Sequence, residues 1–448
     1  MADDRLAPRG TLSGVAPGAT RSPGLDRVFE MSASAVRYGR GVTGEVGAEL
    51  ADRGLRRVMV VTDPVVATLP PVATVLESLE AEGVRHVLFD RARVEPTDAS
   101  FREAIAVAAE SEVDAFVAVG GGSVIDTAKA ANLYSTHPPA DFLDYVNPPI
   151  GRGIPVPGPL RPLYAIPTTA GTGSETTGVA IFDLEARHLK TGISSRYLKP
   201  TLGLLDPEHT RTLPPAVAAS AGLDVLCHAV ESFTALPFTA RPKPVRPSAR
   251  PPYQGANPIS DLWALEAMRL VSTFLVRAVE DPGDDEARGA LVLAASLAGI
   301  GFGNAGVHLP HAMSYPVAGG VRDYRVAGYP PDRALVPHGF SVVVSAPAVF
   351  ATTAAASPQR HLQAADALGA DISRRAPADA GRVLAERLAW FMERLGAPNG
   401  LAGVGYGTTD VPALVEGALA QQRLTVLSPV PVDADLLAGL FERSLRVW

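Results

Sequence analysis

The chain has 448 residues, 47% of them hydrophobic and 19% charged, with 40 Lys and Arg against 47 Asp and Glu for a net charge of −7. The apolar content excludes a disordered chain, and the acidic balance argues against a general nucleic-acid binder. The single cysteine, Cys227, excludes an internal disulfide framework and a multi-cysteine zinc site.

In chain order, residues 1–28 read as a flexible extension. They hold Asp3, Asp4, Arg5, Arg9, Arg21 and many Gly and Pro, with no apolar stretch of the kind a secretory signal carries. A cytoplasmic location is expected, with a mitochondrial one left open by the arginines. Residues 29–205 alternate β-branched runs with helical patterns: strands over 57–63, 86–90, 115–119 and 163–167, and helices over 72–82, 100–112 and 124–132. That alternation predicts an α/β dinucleotide-binding domain on a parallel sheet. Residues 206–448 change to Ala/Leu-rich helical spacing over 216–233, 261–279, 286–300, 342–353, 378–395 and 410–421, predicting an all-α metal-binding and catalytic domain. Residues 236–258, with seven prolines and no acid, must form a loop. The uncharged run 289–307 nears membrane-spanning length, but its Gly and Ala content reads as a buried core helix, so no membrane partner is expected.

Several groups carry chemistry. Gly120-Gly121-Gly122-Ser123 follows a strand and opens a helix, where outward N–H groups and the helix dipole suit a phosphate, although such a turn also serves as plain connection. Asp63 ends an earlier strand, where an acid either hydrogen-bonds a ribose 2′-hydroxyl or caps a helix. A second Gly/Thr-rich turn, 167–174, also follows a strand, and two such turns suit a dinucleotide pyrophosphate. Asp224 and His228 stand four apart on a predicted helix and share a face, as a first-row divalent cation requires, although isolated pairs of this spacing are common surface chemistry. His308, His311 and His338 lie in apolar, glycine-rich segments and read either as satisfied core histidines or as ligands. The loop arginines Arg241, Arg246 and Arg250 are either solvated or receive substrate carboxylates by bidentate contact.

Read together, these residues resemble the iron-containing, or group III, alcohol dehydrogenase family from about Phe29 to the C-terminus. The family's G-G-G-S-x-x-D-x-A-K stands at 120–129, its P-T-T-x-G-T-G-S-E at 167–175 and its G-x-D-x-x-x-H-A-x-E at 222–231. The resemblance implies a divalent metal, Fe²⁺ with Zn²⁺ as the alternative, held by Asp224, His228, His311 and His338. It implies NAD(H), with NADP(H) left open, contacted by Asp63, Gly121, Gly122, Ser123, Asp126, Thr168, Thr169, Thr177 and Lys190. Two departures stand out. Tyr315 replaces the second His of the H-x-x-x-H found in many members, and His308 stands where many have glycine. Either is a candidate to relay the alcohol proton.

Within the family, residues 191–199, 253–261, 301–308 and 311–316 are similar to hydroxyacid-oxoacid transhydrogenases. That likeness implies oxidation of 4-hydroxybutyrate to succinate semialdehyde, coupled through a nicotinamide to reduction of 2-oxoglutarate to 2-hydroxyglutarate. The alternatives are an NAD-dependent dehydrogenase of small primary alcohols or 4-hydroxybutyrate, and a hydrolase using Ser174 or Cys227, which lacks a G-x-S-x-G elbow. The expected partners are small hydroxy acids and oxo acids and further copies of the chain, as a homodimer or larger homo-oligomer.

Overall fold

A computed structural model describes residues 24–448 except His188. Six strands form one sheet: β1 (Ala35–Tyr38), β2 (Arg57–Val61), β3 (Arg85–Phe89), β4 (Ala115–Gly120), β5 (Leu163–Pro167) and, later in the chain, β8 (Leu202–Leu205). Their order is β1-β8-β5-β4-β2-β3, and every neighbouring pair is parallel. Parallel neighbours need crossovers, which α1 (Val46–Asp52), α2 (Pro70–Ala81), α3 (Asp98–Glu110) and α4 (Gly122–Thr136) supply. Both faces are therefore covered. Val58, Val60 and Val117 pack on one side with Leu50, Val75 and Leu79, while Met59, Val61 and Phe116 pack on the other with Ala104, Ile125 and Ala128. Adjacent residues point to opposite faces, so a strand buried on both sides is apolar throughout, as 115–119 is. α2 begins at Pro70-Pro71, where the missing N–H costs nothing, and Gly83 at φ +65° follows its end.

A separate antiparallel ribbon pairs β6 (Val179–Leu184) with β7 (Leu189–Ser194). The sequence does not announce it, because residues 185–188 contain no Gly, Asn or Pro to mark a hairpin.

After β8 the described residues form helices only: α5 (Pro215–Thr234), α6 (Pro258–Glu280), α7 (Asp285–Ala305), α8 (Leu309–Gly319), α9 (His338–Val343), α10 (Ala346–Thr353), α11 (Pro358–Ala367), α12 (Ala380–Arg394), α13 (Val411–Leu419), α14 (Gln422–Thr425) and α15 (Ala434–Arg443). The single helix expected over 342–353 is two, α9 and α10. Pro347 has no N–H to donate to the Val343 carbonyl, so one helix stops and another starts. The run 289–307 lies mostly in α7, buried in the helical core; the chain breaks at Gly306, φ +95°, and bends by 104° into α8.

The extension also departs from expectation. Residues 1–23, with Arg5, Arg9 and Arg21, lie outside the described residues, but residues 24–28 are not free. Leu25 bridges Pro242, the Asp26 N–H donates to the Arg241 carbonyl at 2.7 Å, and the Asp26 carboxylate accepts from Arg250 at 3.0 and 3.2 Å. A carboxylate far away in sequence thus anchors the acid-free loop.

Candidate active site

α5 carries Asp224, His228 and Glu231 at i, i+4 and i+7, one face of a buried helix. Gly222 lets it approach α6, since a Cβ there would lie 2.1 Å from Leu275 Cδ1. His311 comes from the first turn of α8, beyond the bend at Gly306. His338 opens α9, and Gly339 lets that helix start against α5: a Cβ at 339 would lie 1.8 Å from the Ser220 carbonyl oxygen. One ligand atom from each of Asp224, His228, His311 and His338 lies within 4.8 Å of the others. Asp224 Oδ1 is 3.7, 3.5 and 3.7 Å from Nε2 of His228, His311 and His338.

These residues fit a divalent cation. Asp224 Oδ1 and His311 Nε2 are buried and have no hydrogen-bond partner, an arrangement costly to keep unless something binds there. Three imidazoles and a carboxylate are a donor set that first-row cations accept. Burial alone would raise the Asp224 pKa, but the surrounding imidazoles hold it well below the usual carboxylate range. Burial pushes His228 down to about 3 and lowers His338, so both are neutral near pH 7 with lone pairs to offer. His311 differs. Burial opposes its charge, yet Glu231 and Asp224 hold it up at about 9. Without a cation it keeps a proton that a cation must displace.

Glu231, the last residue of the motif at 222–231, is the one to which the sequence reading gave no role. It is fully buried. Its Oε2 accepts from His311 Nδ1 at 2.5 Å, while Oε1 accepts from the backbone N–H groups of His308 at 2.8 Å and His311 at 3.2 Å. Its place seven residues after Asp224, on the same helix face, was the available signal. Phe302 stacks on His228 with centroids 4.0 Å apart and 7° between planes, fixing that ring from its other face.

The glycine turn is pressed against the second turn. A Cβ on Gly122 would lie 2.6 Å from Thr172 side-chain atoms, and one on Gly121 3.4 Å from Thr169. Gly173, at φ +59°, seats that second turn on α7, where a Cβ would meet Gly299 Cα at 2.7 Å. Asp126 joins the parts: Oδ1 accepts from the Ser174 hydroxyl at 2.6 Å and Oδ2 from the Ile181 N–H at 2.9 Å. Lys129, pushed down to about 8 by burial, donates to Ser174 Oγ at 2.7 Å and to the Val179 carbonyl at 2.9 Å. Ser174 is therefore committed to Asp126 and Lys129, and burial pushes the Cys227 thiol well up. Neither is an activated nucleophile, which removes the hydrolase alternative. Asp63 Oδ1 accepts from the N–H groups of Val65 and Val66, both at 2.9 Å, so the capping role is the one this oxygen performs.

A cleft is lined by Gly122, Ser123, Asp126, Thr177 and Lys190 together with His228, His311, His338 and Tyr315. Lys190 is buried between Glu95 and Asp183, whose charges raise its pKa against the opposing effect of burial. Asp63, Gly121, Thr168, Thr169 and Asp224 are not among the lining residues. His308 is not either: it is fully buried, with Nε2 3.1 Å from Thr234 Oγ1. Of the two relay candidates only Tyr315 faces the cleft. The loop arginines lie elsewhere. Arg241, Arg246 and Arg250 line a second hollow rather than this cleft, and Arg250 is engaged by Asp26. Besides Lys190, the cleft is lined by the cationic side chain of Arg423, on α14, which no sequence pattern marked.

Known proteins resemble the chain over most of its length. Residues 33–207 match the family described as iron-containing alcohol dehydrogenase, and 253–445 match its C-terminal family. The chain is 56% identical over 434 residues to the mitochondrial hydroxyacid-oxoacid transhydrogenase of Xenopus laevis, covering 97% of this chain and 93% of that protein. It is 54% identical over 437 residues to the Homo sapiens protein of the same name, covering 96% and 94%. Among solved structures it is similar to a 1,3-propanediol oxidoreductase, with a TM-score of 0.80, 27% identity, and coverage of 93% of this chain and 100% of that one. The chain belongs to the iron-containing alcohol dehydrogenase family, and with that membership come oxidoreductase chemistry on CH–OH groups and the binding of a metal and NAD(H).

Proposed function

We propose that the chain is a hydroxyacid-oxoacid transhydrogenase that oxidises 4-hydroxybutyrate to succinate semialdehyde and reduces 2-oxoglutarate to 2-hydroxyglutarate. The observation that carries this reading is that a single cleft is lined by three imidazoles of the ligand cluster and by the glycine turn. Asp224, His228, His311 and His338 would hold Fe²⁺. Gly121, Gly122, Ser123, Thr168, Thr169, Thr177 and Lys190 would receive NAD(H), with Asp63 and Asp126 bracing the strand ends that present them. When bound, the cation polarises the substrate oxygen and the nicotinamide takes up a hydride and gives it back.

The chain's own residues supply position and proton control. Glu231 holds the proton of His311 on Nδ1, leaving the Nε2 lone pair aimed at the cluster. Tyr315 accepts from Arg423, so its own O–H is free to turn elsewhere, and burial keeps it protonated near pH 7. It would pass the alcohol proton on by accepting one as it gives one up. The first half-reaction releases a hydride and a proton and the second consumes both, so the cycle needs no outside oxidant. The curated relatives are named as mitochondrial, which supports that location over the cytoplasmic one expected from the sequence. A homodimer or larger homo-oligomer is the proposed assembly.

The test is to incubate metal-loaded protein with 4-hydroxybutyrate and 2-oxoglutarate, with and without added NAD, and to measure 2-hydroxyglutarate. Stoichiometric 2-hydroxyglutarate and succinate semialdehyde supports the proposal. Oxidation of 4-hydroxybutyrate only with NAD in excess, and no oxoacid dependence, would make the protein an ordinary NAD-linked dehydrogenase.

A further inference from the structure

Arg423 stands apart from every other cation near the reaction. Lys190, the other cationic side chain lining the cleft, is held by Glu95 and Asp183. Among the described residues no carboxylate lies within salt-bridge distance of Arg423. Its Nη2 donates to the Tyr315 hydroxyl, and its Nη1 is buried with no hydrogen-bond partner. The guanidinium lies 5.8 Å from the ring centroids of both Tyr253 and Tyr315, which fix its plane. It also lies where two hollows meet, since Arg423 and Tyr253 line both the cleft and the basic hollow that contains Arg241 and Arg246. A buried, oriented fork with an unsatisfied donor is a site built for a planar anion.

The substrates match it in a specific way. In 4-hydroxybutyrate the reacting carbon and the carboxylate carbon are separated by two methylenes. In 2-oxoglutarate the reacting carbonyl carbon and the distal carboxylate carbon are also separated by two methylenes. The two acids differ in what is attached at the reacting end, where 2-oxoglutarate carries a second carboxylate. We propose that Arg423 is the common seat for the distal carboxylate of both acids, so that one fixed cation places the reacting carbon of either substrate at the same depth in the cleft. This rests on the transhydrogenase reading for the identity of the acids. The shared spacing lets one site serve two half-reactions in turn, and it sets specificity by length: acids with one or three intervening methylenes misplace the reacting carbon.

The experiment compares wild type, Arg423→Met and Arg423→Lys as metal-loaded protein, with thermal midpoints checked to confirm folding. Arg423→Met is expected to raise KM for both 4-hydroxybutyrate and 2-oxoglutarate by about 10- to 100-fold, the range for a lost charge-assisted hydrogen bond. It is expected to leave KM within about twofold for the neutral amide of 4-hydroxybutyrate and for 2-oxovalerate, and Arg423→Lys should fall between. Equal shifts for acid and amide, or a shift in one half-reaction only, overturns the common seat. Calorimetry with succinate and butyrate gives a readout independent of turnover. Succinate presents two carboxylates across the same two methylenes, so wild type should prefer it and Arg423→Met should lose the preference. If wild type makes no 2-hydroxyglutarate the transhydrogenase reading fails, but the succinate preference still decides the role of Arg423. An unchanged preference in Arg423→Met refutes it.

Discussion

Glu231→Gln is the sharpest probe of how the ligand cluster is built. The substitution keeps the volume of a fully buried side chain. The amide oxygen can still accept from the N–H groups of His308 and His311, which Glu231 Oε1 now satisfies at 2.8 and 3.2 Å. At the other end an NH₂ replaces the oxygen that accepts from His311 Nδ1 at 2.5 Å. Two donors cannot face each other, so His311 must move its hydrogen to Nε2, the atom 3.5 Å from Asp224 Oδ1. That nitrogen must offer a lone pair to bind a cation. Loss of such an orienting partner typically weakens metal affinity by about 10- to 100-fold, or about 1.4–2.8 kcal/mol. Competition with a chelator of known affinity measures it, and differential scanning of metal-free protein controls for folding. Metal binding in Glu231→Gln as tight as in wild type would refute the tautomer argument.

Four other outcomes are expected. Metal affinity should rise about tenfold per pH unit between about pH 7 and 9 and level off above, because the cation displaces the proton that His311 holds up to about 9. The same raised pKa stabilises metal-free protein fully below about pH 6.5 and fades as pH climbs through 9, so its thermal midpoint should fall over that window; a flat profile in both measurements sinks this assignment. Gly339→Ala places a Cβ 1.8 Å from a backbone oxygen that cannot yield, so it should cost about 1–3 kcal/mol in denaturant unfolding and release bound metal. Tyr315→Phe removes the hydroxyl that accepts from Arg423 and should lower kcat and alter its pH profile; unchanged turnover and pH dependence would exclude Tyr315 from proton relay.

The sheet strands that carry the glycine turns were readable in advance because their cause is local. A strand buried on both faces is apolar at every position, as 115–119 is, and a helix with one buried face repeats with its turn, which put Asp224 and His228 side by side before any coordinates. The β6–β7 ribbon escaped because its connection carries no turn residue, and the break between α9 and α10 because one proline decides it. Charge behaved differently. The loop 236–258 looked like a store of free cations, yet Asp26, over two hundred residues from Arg250, engages one of them. Arg423 gave no sign at all, since a lone arginine in a polar stretch has no period and no motif.

Composition, period and motif spacing by themselves determined the class of fold, the turn–helix cradle and the shared face of Asp224 and His228, because each depends on neighbours close in the chain, whereas His311 and His338 were joined to them only by the family resemblance. Only the tertiary structure decided which charges are neutralised and which remain unpaired, because that depends on partners distant in sequence. It brought Glu231 to His311, kept His308 out of the cleft lining, and left the Arg423 guanidinium, in the cleft that three of the imidazoles line, without an acid partner among the described residues.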